Sequence, residues 1–181
     1  MMAPSPGINV VILMGVSGSG KTTISQALAA RTGFAERDGD DYHSAANIEK
    51  MKAGIPLTDD DRLPWLRSIA EAINNYANSN TPIIIACSAL KRSYRDILVH
   101  GRKDVRIVYL KGPADLIAQR LTQRGGHFMP PKLLDSQIDA LEPPQPDEHI
   151  LTVDIDAPVE RIVDDIIITL HLPDNAGARV S

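Results

Sequence analysis

The chain has 181 residues with 43% hydrophobic and 23% charged residues, which suits one globular domain with a substantial core. A net charge of −4 argues against a general nucleic-acid-binding surface, and the single cysteine, Cys87, excludes an internal disulfide. No run of about 18 apolar residues occurs, and the apolar N-terminal segment is short and lacks a basic flank. The sequence therefore predicts a cytoplasmic protein that does not bind membranes or nucleic acid.

The first predicted elements are a strand, a glycine-rich loop and a helix. Residues 8–14 form an apolar run that is typical of a strand buried on both faces. Residues 15–22, GVSGSGKT, fit G-x-x-x-x-G-K-[ST], the phosphate-binding loop of nucleotide enzymes. Residues 23–32 have helical spacing, and Gly33 is placed to end that helix. This order favours a real phosphate loop over a Gly/Ser-rich turn that ends in Lys-Thr by chance.

The loop is predicted to bind ATP together with Mg²⁺. Glycines allow the backbone to turn its N–H groups around an anion, which Cβ atoms would obstruct. Lys21 can reach the β- and γ-phosphates, and the Thr22 hydroxyl can ligate the metal. The predicted nucleotide-binding residues are Gly15, Val16, Ser17, Gly18, Ser19, Gly20, Lys21 and Thr22.

Apolar runs and helical stretches alternate along the rest of the chain. Further strands are predicted near residues 34–38, 83–87, 105–110 and 150–154, and further helices at 42–52, 60–78, 91–100, 113–123, 133–141 and 159–170. Five strands separated by helices predict an α/β fold with a parallel sheet and helices on both faces. One domain is expected over 1–181, with its core at about 8–172, a lid at about 120–142, and loose tails at 1–6 and 174–181.

Acidic residues follow the second predicted strand. Ligands of an open parallel sheet bind beyond the carboxyl ends of its strands, so Asp38 and Asp40 are expected near the phosphate loop. A kinase needs one acid near the metal and another near the acceptor hydroxyl. The alternative is a solvated acidic turn.

Basic and imidazole side chains supply candidates for substrate binding. Lys91 and Arg95 follow the third strand and could hold a carboxylate, although an exposed basic helix face fits the spacing equally well. Arg62 could bind an anion or pair only with its acidic neighbours. His43 and His127 could hydrogen-bond a hydroxylated substrate, or be structural or exposed.

Two arginines precede a segment rich in glycine and proline. Arg120 and Arg124 lie four residues apart, on one face of a predicted helix that leads into residues 125–131. Arginines carried by a lid can close over the γ-phosphate and stabilise charge during transfer. A charged helix face is the alternative, and the adjacent glycine hinge favours the functional interpretation.

Taken together, the chain resembles the gluconokinase family of small P-loop kinases from about residue 10 to 168. The phosphate loop is common to many families, whereas the segments at 64–66 and 87–91 are far more specific. The matching segments are 14–22 (MGVSGSGKT), 38–43 (DGDDYH), 47–51 (NIEKM), 54–62 (GIPLTDDDR), 64–66 (PWL), 87–96 (CSALKRSYRD), 124–129 (RGGHFM) and 133–137 (LLDSQ). Asp41 and Arg37 depart from the pattern of the family, so the resemblance does not predict the backbone geometry around them.

The resemblance implies the reaction ATP + D-gluconate → ADP + 6-phospho-D-gluconate with Mg²⁺, on a nucleoside-monophosphate-kinase-like fold with a lid, in a homodimer. It implies Asp40 at the acceptor hydroxyl and Asp38 on the metal side. The expected catalytic residues are Lys21, Asp40, Arg120 and Arg124. The expected gluconate-binding residues are Asp40, His43, Arg62, Lys91, Arg95 and His127. The alternatives are another small-metabolite kinase, such as a shikimate-kinase-like enzyme, or a nucleotide-binding regulator with little turnover.

Overall fold

The computed structural model describes residues 7–124 and 131–179. Its strands are β1 (Val10–Met14), β2 (Ala35–Asp38), β3 (Ile83–Ala86), β4 (Val105–Lys111) and β5 (Leu151–Asp154). They form one sheet in the order β2-β3-β1-β4-β5, and each neighbouring pair is parallel. The predicted five-stranded parallel sheet is confirmed.

Helices connect the strands. They are α1 (Lys21–Thr32), α2 (Ala45–Lys52), α3 (Asp59–Asn78), α4 (Arg92–Val99), α5 (Ala114–Gln123), α6 (Pro131–Ala140) and α7 (Val159–Leu170). The prediction of one helix over 42–52 is wrong at its start. A 3₁₀ helix, Gly39–Tyr42, ends at the extended residue His43, and the Ser44 hydroxyl then caps α2 by accepting from the Asn47 backbone N–H.

The position of β1 in the centre of the sheet explains why its sequence is apolar throughout. All five residues of β1 are fully buried. Val11 and Leu13 belong to a core cluster that contains side chains of α1 and α7, whereas Val10, Ile12 and Met14 belong to a second cluster that contains side chains of α3 and α4. Successive side chains of a strand point to opposite faces, so helices on both faces require apolar residues at every position.

Two glycines give the phosphate loop its shape. Gly18 and Gly20 have φ angles of +84° and +98°, in the left-handed region that residues with a Cβ avoid. Helix α1 begins at Lys21, two residues before the predicted start. The loop between β1 and α1 therefore brings Lys21 and Thr22 into the first turn of the helix.

The loop after β2 is held from two sides. Gly39 is buried, and a Cβ added to it would lie 2.7 Å from the carbonyl oxygen of Ala86, the last residue of β3. The Trp65 indole on α3 donates a hydrogen bond of 2.7 Å to the Gly39 carbonyl oxygen. The backbone between Asp38 and Asp40 is thus fixed by contact with β3 and α3.

The C-terminal tail predicted over residues 174–181 is attached to α1 through its first two residues. The Asp174 carboxylate accepts two hydrogen bonds, of 2.9 and 2.7 Å, from the Arg31 guanidinium. The Asn175 backbone N–H also donates to the Arg31 carbonyl oxygen at 2.8 Å. Residues 1–6, the other predicted tail, lie outside the described residues. In the described part of the chain, no helix is both long enough and apolar enough to cross a membrane.

We expect Gly39→Ala to lower the free energy of unfolding by about 1–3 kcal/mol, because the new methyl group would overlap the Ala86 carbonyl oxygen. Gly7→Ala is the matched control, since an added Cβ meets nothing within 4 Å there. Denaturant unfolding of both variants measures the difference. Equal stability of the two variants would contradict the close packing of Gly39.

Candidate active site

A cavity of about 610 Å³ opens at the carboxyl ends of β1, β2 and β3. This is where ligands of an open parallel sheet bind. Its lining includes ten of the residues predicted from sequence: Ser17, Gly18, Gly20, Lys21, Thr22, Asp38, Asp40, His43, Arg62 and Arg124. Side chains that are far apart in the sequence therefore share one site.

The Lys21 ammonium lies within the phosphate loop. Its Nζ donates to the carbonyl oxygens of Gly15 and Val16, at 2.9 and 3.1 Å. Burial lowers the pKa of this ammonium, and the carboxylates of Asp40 and Asp38 oppose that effect. An anion in the loop would meet the N-terminus of α1 and this partly desolvated cation together.

A residue that the sequence analysis gave no role contacts the loop from α6. The Gln137 side-chain oxygen accepts from the Ser17 backbone N–H at 2.7 Å, and its amide nitrogen donates to the Ser17 hydroxyl at 3.0 Å. The two residues are 120 positions apart. No local pattern could have indicated this contact, because it arises only from the packing of α6 against the loop.

The two acids after β2 have different environments. The Asp38 carboxylate accepts a hydrogen bond of 2.9 Å from the Asp40 backbone N–H, which orients it. The pKa of Asp40 is raised, because surrounding protein in the cleft reduces its hydration and because Asp38 lies nearby; Lys21 partly opposes the shift. Solvent still reaches 75% of the Asp40 side-chain surface, so its carboxylate is open to a ligand.

Oxygen donors suitable for Mg²⁺ are present. Thr22 and Asp38 both line the cavity, and magnesium binds few protein oxygens while it keeps water and phosphate ligands. Within residues 7–124 and 131–179, no group of three or more His, Cys, Asp or Glu side chains could hold a metal by itself. This donor set fits a magnesium ion that arrives with a nucleotide.

His43 is packed against Trp65. The two rings stack with their centroids 4.2 Å apart and their planes 14° apart. Burial, and then the positive charge of Arg62, lower the pKa of His43 to about 4, with Asp38 opposing. The imidazole is therefore neutral at pH 7, and its Nε2 lies 3.7 Å from an Asp40 carboxylate oxygen.

Arg62 lines the cavity, and residues outside the cavity lining hold its guanidinium in place. Its guanidinium donates to the Tyr94 hydroxyl at 3.2 Å, and that hydroxyl donates to the Asp59 carboxylate. The Lys91 ammonium also binds Asp59, at 2.9 Å, and does not line the cavity. The structure thus brings Lys91 close to Arg62 through shared partners and places only Arg62 at the cavity wall.

The environment of Arg95 contradicts its predicted role in binding a substrate carboxylate. Its side chain is 1% exposed, and its guanidinium pairs with Glu148 at 2.7 Å. It also donates to the carbonyl oxygens of Ala89 and Leu90, both at 3.1 Å. The described geometry therefore gives Arg95 a structural role and not a role in binding a substrate carboxylate, because its buried guanidinium is bonded to Glu148 and to two backbone carbonyl oxygens.

The two arginines before the Gly/Pro-rich segment lie in different environments. Arg120 donates to the Ile155 carbonyl oxygen at 2.8 Å and does not line the cavity, whereas Arg124 is exposed and lines it. His127 and most of the expected hinge lie outside the described residues. Of the arginine pair, only Arg124 is already at the site in this structure.

Comparison with known proteins identifies the family. A family model described as an AAA domain matches residues 10–144. The thermosensitive gluconokinase of Escherichia coli is 47% identical over 154 residues, which covers 84% of this chain and 82% of that protein. The chain belongs to the gluconokinase family. Members of this family named as gluconokinases occur in bacteria and in eukaryotes.

A solved structure agrees with this assignment. A gluconokinase from Sinorhizobium meliloti is 42% identical, with a TM-score of 0.81 over 93% of this chain and 94% of that one. A shikimate kinase from Bacteroides thetaiotaomicron is 19% identical, with a TM-score of 0.66 over 90% of this chain and 98% of that one. The second likeness shows a shared fold alone, and the predicted nucleoside-monophosphate-kinase-like P-loop fold is confirmed.

We expect Glu148→Gln to lower the free energy of unfolding by about 3–5 kcal/mol, because it leaves the Arg95 charge buried without a counter-charge. Asp147→Asn is the matched control, since it removes only an exposed pair with Arg92 that solvent screens, so its effect on stability should be much smaller. Denaturant unfolding at pH 7 measures both changes.

The same pair predicts a pH dependence. Arg95 holds the pKa of Glu148 below its ordinary value, so the stabilisation is present above the unfolded-state pKa, about 4.3, and is lost as the pH falls through the lower folded-state pKa. The stability difference between wild type and Glu148→Gln should therefore shrink in acid. A constant difference from pH 7 to pH 2 would contradict this assignment.

Proposed function

We propose that this chain transfers the γ-phosphoryl group of ATP to D-gluconate, which yields ADP and 6-phospho-D-gluconate. The observation that carries the proposal is that the phosphate loop, the two acids after β2 and Arg62 line the same cavity. This cavity provides a donor site, an acid for an acceptor hydroxyl and a cation for a carboxylate. Membership of the gluconokinase family supports the same substrate.

The nucleotide would occupy the loop from Gly15 to Thr22, with Lys21 at the β- and γ-phosphates. Thr22 and Asp38 would hold Mg²⁺, whose charge offsets that of the phosphates when it is bound. Because Asp38 is oriented by the Asp40 backbone N–H, the chain fixes this carboxylate before any ligand arrives. Such preorganisation is what phosphoryl transfer mainly requires of a protein.

Gluconate would bind with its carboxylate at Arg62, whose planar guanidinium suits two parallel hydrogen bonds to a carboxylate. Lys91 would act indirectly, because it binds the Asp59 carboxylate that accepts from the Tyr94 hydroxyl, and that hydroxyl is the partner of Arg62. The acceptor hydroxyl would lie between Asp40 and His43, whose side-chain atoms approach to 3.7 Å. The raised pKa of Asp40 makes it a better base toward that hydroxyl than an ordinary carboxylate.

The segment from about 120 to 142 is proposed as a lid that excludes water during transfer. Arg124 lies at the cavity wall and would stabilise charge on the transferred group, with Arg120 and His127 as further candidates. The contact between Gln137 and Ser17 would tie α6 to the phosphate loop. A homodimer and a cytoplasmic location remain predictions from the sequence.

ADP release measured with gluconate, other sugar acids, shikimate and nucleoside monophosphates tests the proposal. We expect the largest kcat/KM with gluconate. Equal rates across the panel would contradict the assigned substrate, and a preference for shikimate would favour the other kinase alternative. Turnover near zero together with tight ATP binding would favour a nucleotide-binding regulator.

We expect Asp40→Asn to lower kcat by about 10²–10⁴-fold with little change in ATP affinity, because the amide cannot accept the hydroxyl proton. Asp41→Asn is the matched control, since this neighbouring acid is exposed and does not line the cavity. Steady-state kinetics and ATP titration measure both properties. Near-normal kcat in Asp40→Asn would refute the role of Asp40.

Arg62→Met should lower kcat/KM for gluconate by about 10–150-fold, the effect of losing a charged hydrogen-bond donor. Glucitol, the same polyol chain without a carboxylate, should show no such loss in its residual rate. Arg67→Met, at an exposed position on the same helix, is the control. An equal loss with both compounds would argue against carboxylate binding by Arg62.

A further inference from the structure

Asn47 on α2 is a buried polar residue to which the proposed reaction assigns no task. It is 5% exposed. Its side-chain nitrogen Nδ2 donates to the Asp61 carbonyl oxygen at 2.8 Å. The same nitrogen lies 3.4 Å from Nδ1 of His43. A single NH₂ group thus faces a backbone carbonyl and a ring nitrogen at once.

The partners settle which way the Asn47 amide points. A backbone carbonyl oxygen can only accept, so the group that faces Asp61 must be the NH₂ and not the amide oxygen. The second N–H of that NH₂ is then available to His43. Consequently, Nδ1 of His43 is the acceptor in this contact and carries no proton.

A neutral imidazole has one donor and one acceptor nitrogen. With Nδ1 as the acceptor, the ring proton of His43 must be on Nε2. The ring cannot turn away easily, because it is stacked on Trp65 and its side chain is only 3% exposed. The low pKa of His43 supports a neutral ring at pH 7.

We propose that Asn47 is a positioning residue that holds His43 in the Nε2–H tautomer, so that His43 presents a hydrogen-bond donor opposite the Asp40 carboxylate. The placement of Nε2 at 3.7 Å from the Asp40 oxygen leaves a position at which one hydroxyl can touch both groups. The tautomer follows from contacts within the protein, whereas its use in catalysis rests on the proposed function.

The tautomer matters because a hydroxyl offers one proton and two lone pairs. In the proposed arrangement the hydroxyl donates to Asp40 and accepts from His43, which leaves one lone pair for attack on phosphorus. In the other tautomer, the Nε2 of His43 would be an acceptor and would compete with Asp40 for the same proton. Asn47 therefore selects the hydrogen-bond pattern that directs the acceptor oxygen.

The first measurement is the ¹⁵N NMR spectrum of the His43 imidazole in ligand-free wild-type protein at pH 7. We expect the shifts of a protonated Nε2 and an unprotonated Nδ1. In Asn47→Leu, which is similar in size and offers no N–H, the tautomers should mix. In Asn47→Asp, whose carboxylate accepts hydrogen bonds, protonation should move to Nδ1. Glu49→Gln, at an exposed site on the same helix, should resemble wild type.

The kinetic measurement uses the same variants. Asn47→Leu and Asn47→Asp should lower kcat by roughly tenfold or more, with an unchanged KM for ATP. A protonated Nδ1 in wild type would overturn the proposal without any variant, as would an unchanged tautomer and kcat in folded Asn47→Leu. These outcomes are distinct from failure of the proposed function, because the spectra require no substrate, whereas the substrate panel requires no assignment of His43.

Discussion

Backbone hydrogen bonds between parallel strands align the carboxyl ends of β1, β2 and β3 at one edge of the sheet. The phosphate loop and the acids of the site are placed by this alignment. The phosphate loop follows β1, the acids follow β2, and Ser88, which lies just after β3, also lines the cavity, so residues that follow all three strands reach the same site. The core on both faces of β1 keeps that edge rigid, because the strand cannot shift without disturbing two packed layers.

The cavity contains cations with different neighbours. Lys21 is a partly desolvated cation beside two carboxylates, and Arg62 is a second cation beside a neutral imidazole. Burial alone would weaken Lys21 as a cation, and the nearby carboxylates restore part of its charge preference. A nucleotide with its metal and an anionic sugar acid would each meet a site of complementary sign. Burial, and then the charge of Arg62, lower the pKa of His43, so its ring stays neutral at pH 7 and serves as a hydrogen-bond partner instead of a charge.

Three cations that look alike in the sequence have three different environments. Arg62 reaches the cavity wall, Lys91 pairs with Asp59 behind it, and Arg95 is buried against Glu148. The buried pair connects α4 to the turn before β5, so it contributes to the scaffold. Tyr94 shows how the other two are coupled, because its hydroxyl accepts from Arg62 and donates to Asp59.

The sequence by itself determined the five parallel strands, the phosphate loop and the acids after β2, because apolar runs, glycine spacing and the alternation of strands with helices are visible along the chain. It could not separate Arg62 from Arg95, since the direction of a long side chain depends on which partners the fold places beside it. It also gave no signal for the contacts of Gln137 with Ser17 or of Asn47 with Asp61, because each of these hydrogen bonds joins two separate elements of the fold. Only tertiary packing decided them, by bringing a donor and an acceptor from separate elements within hydrogen-bond distance.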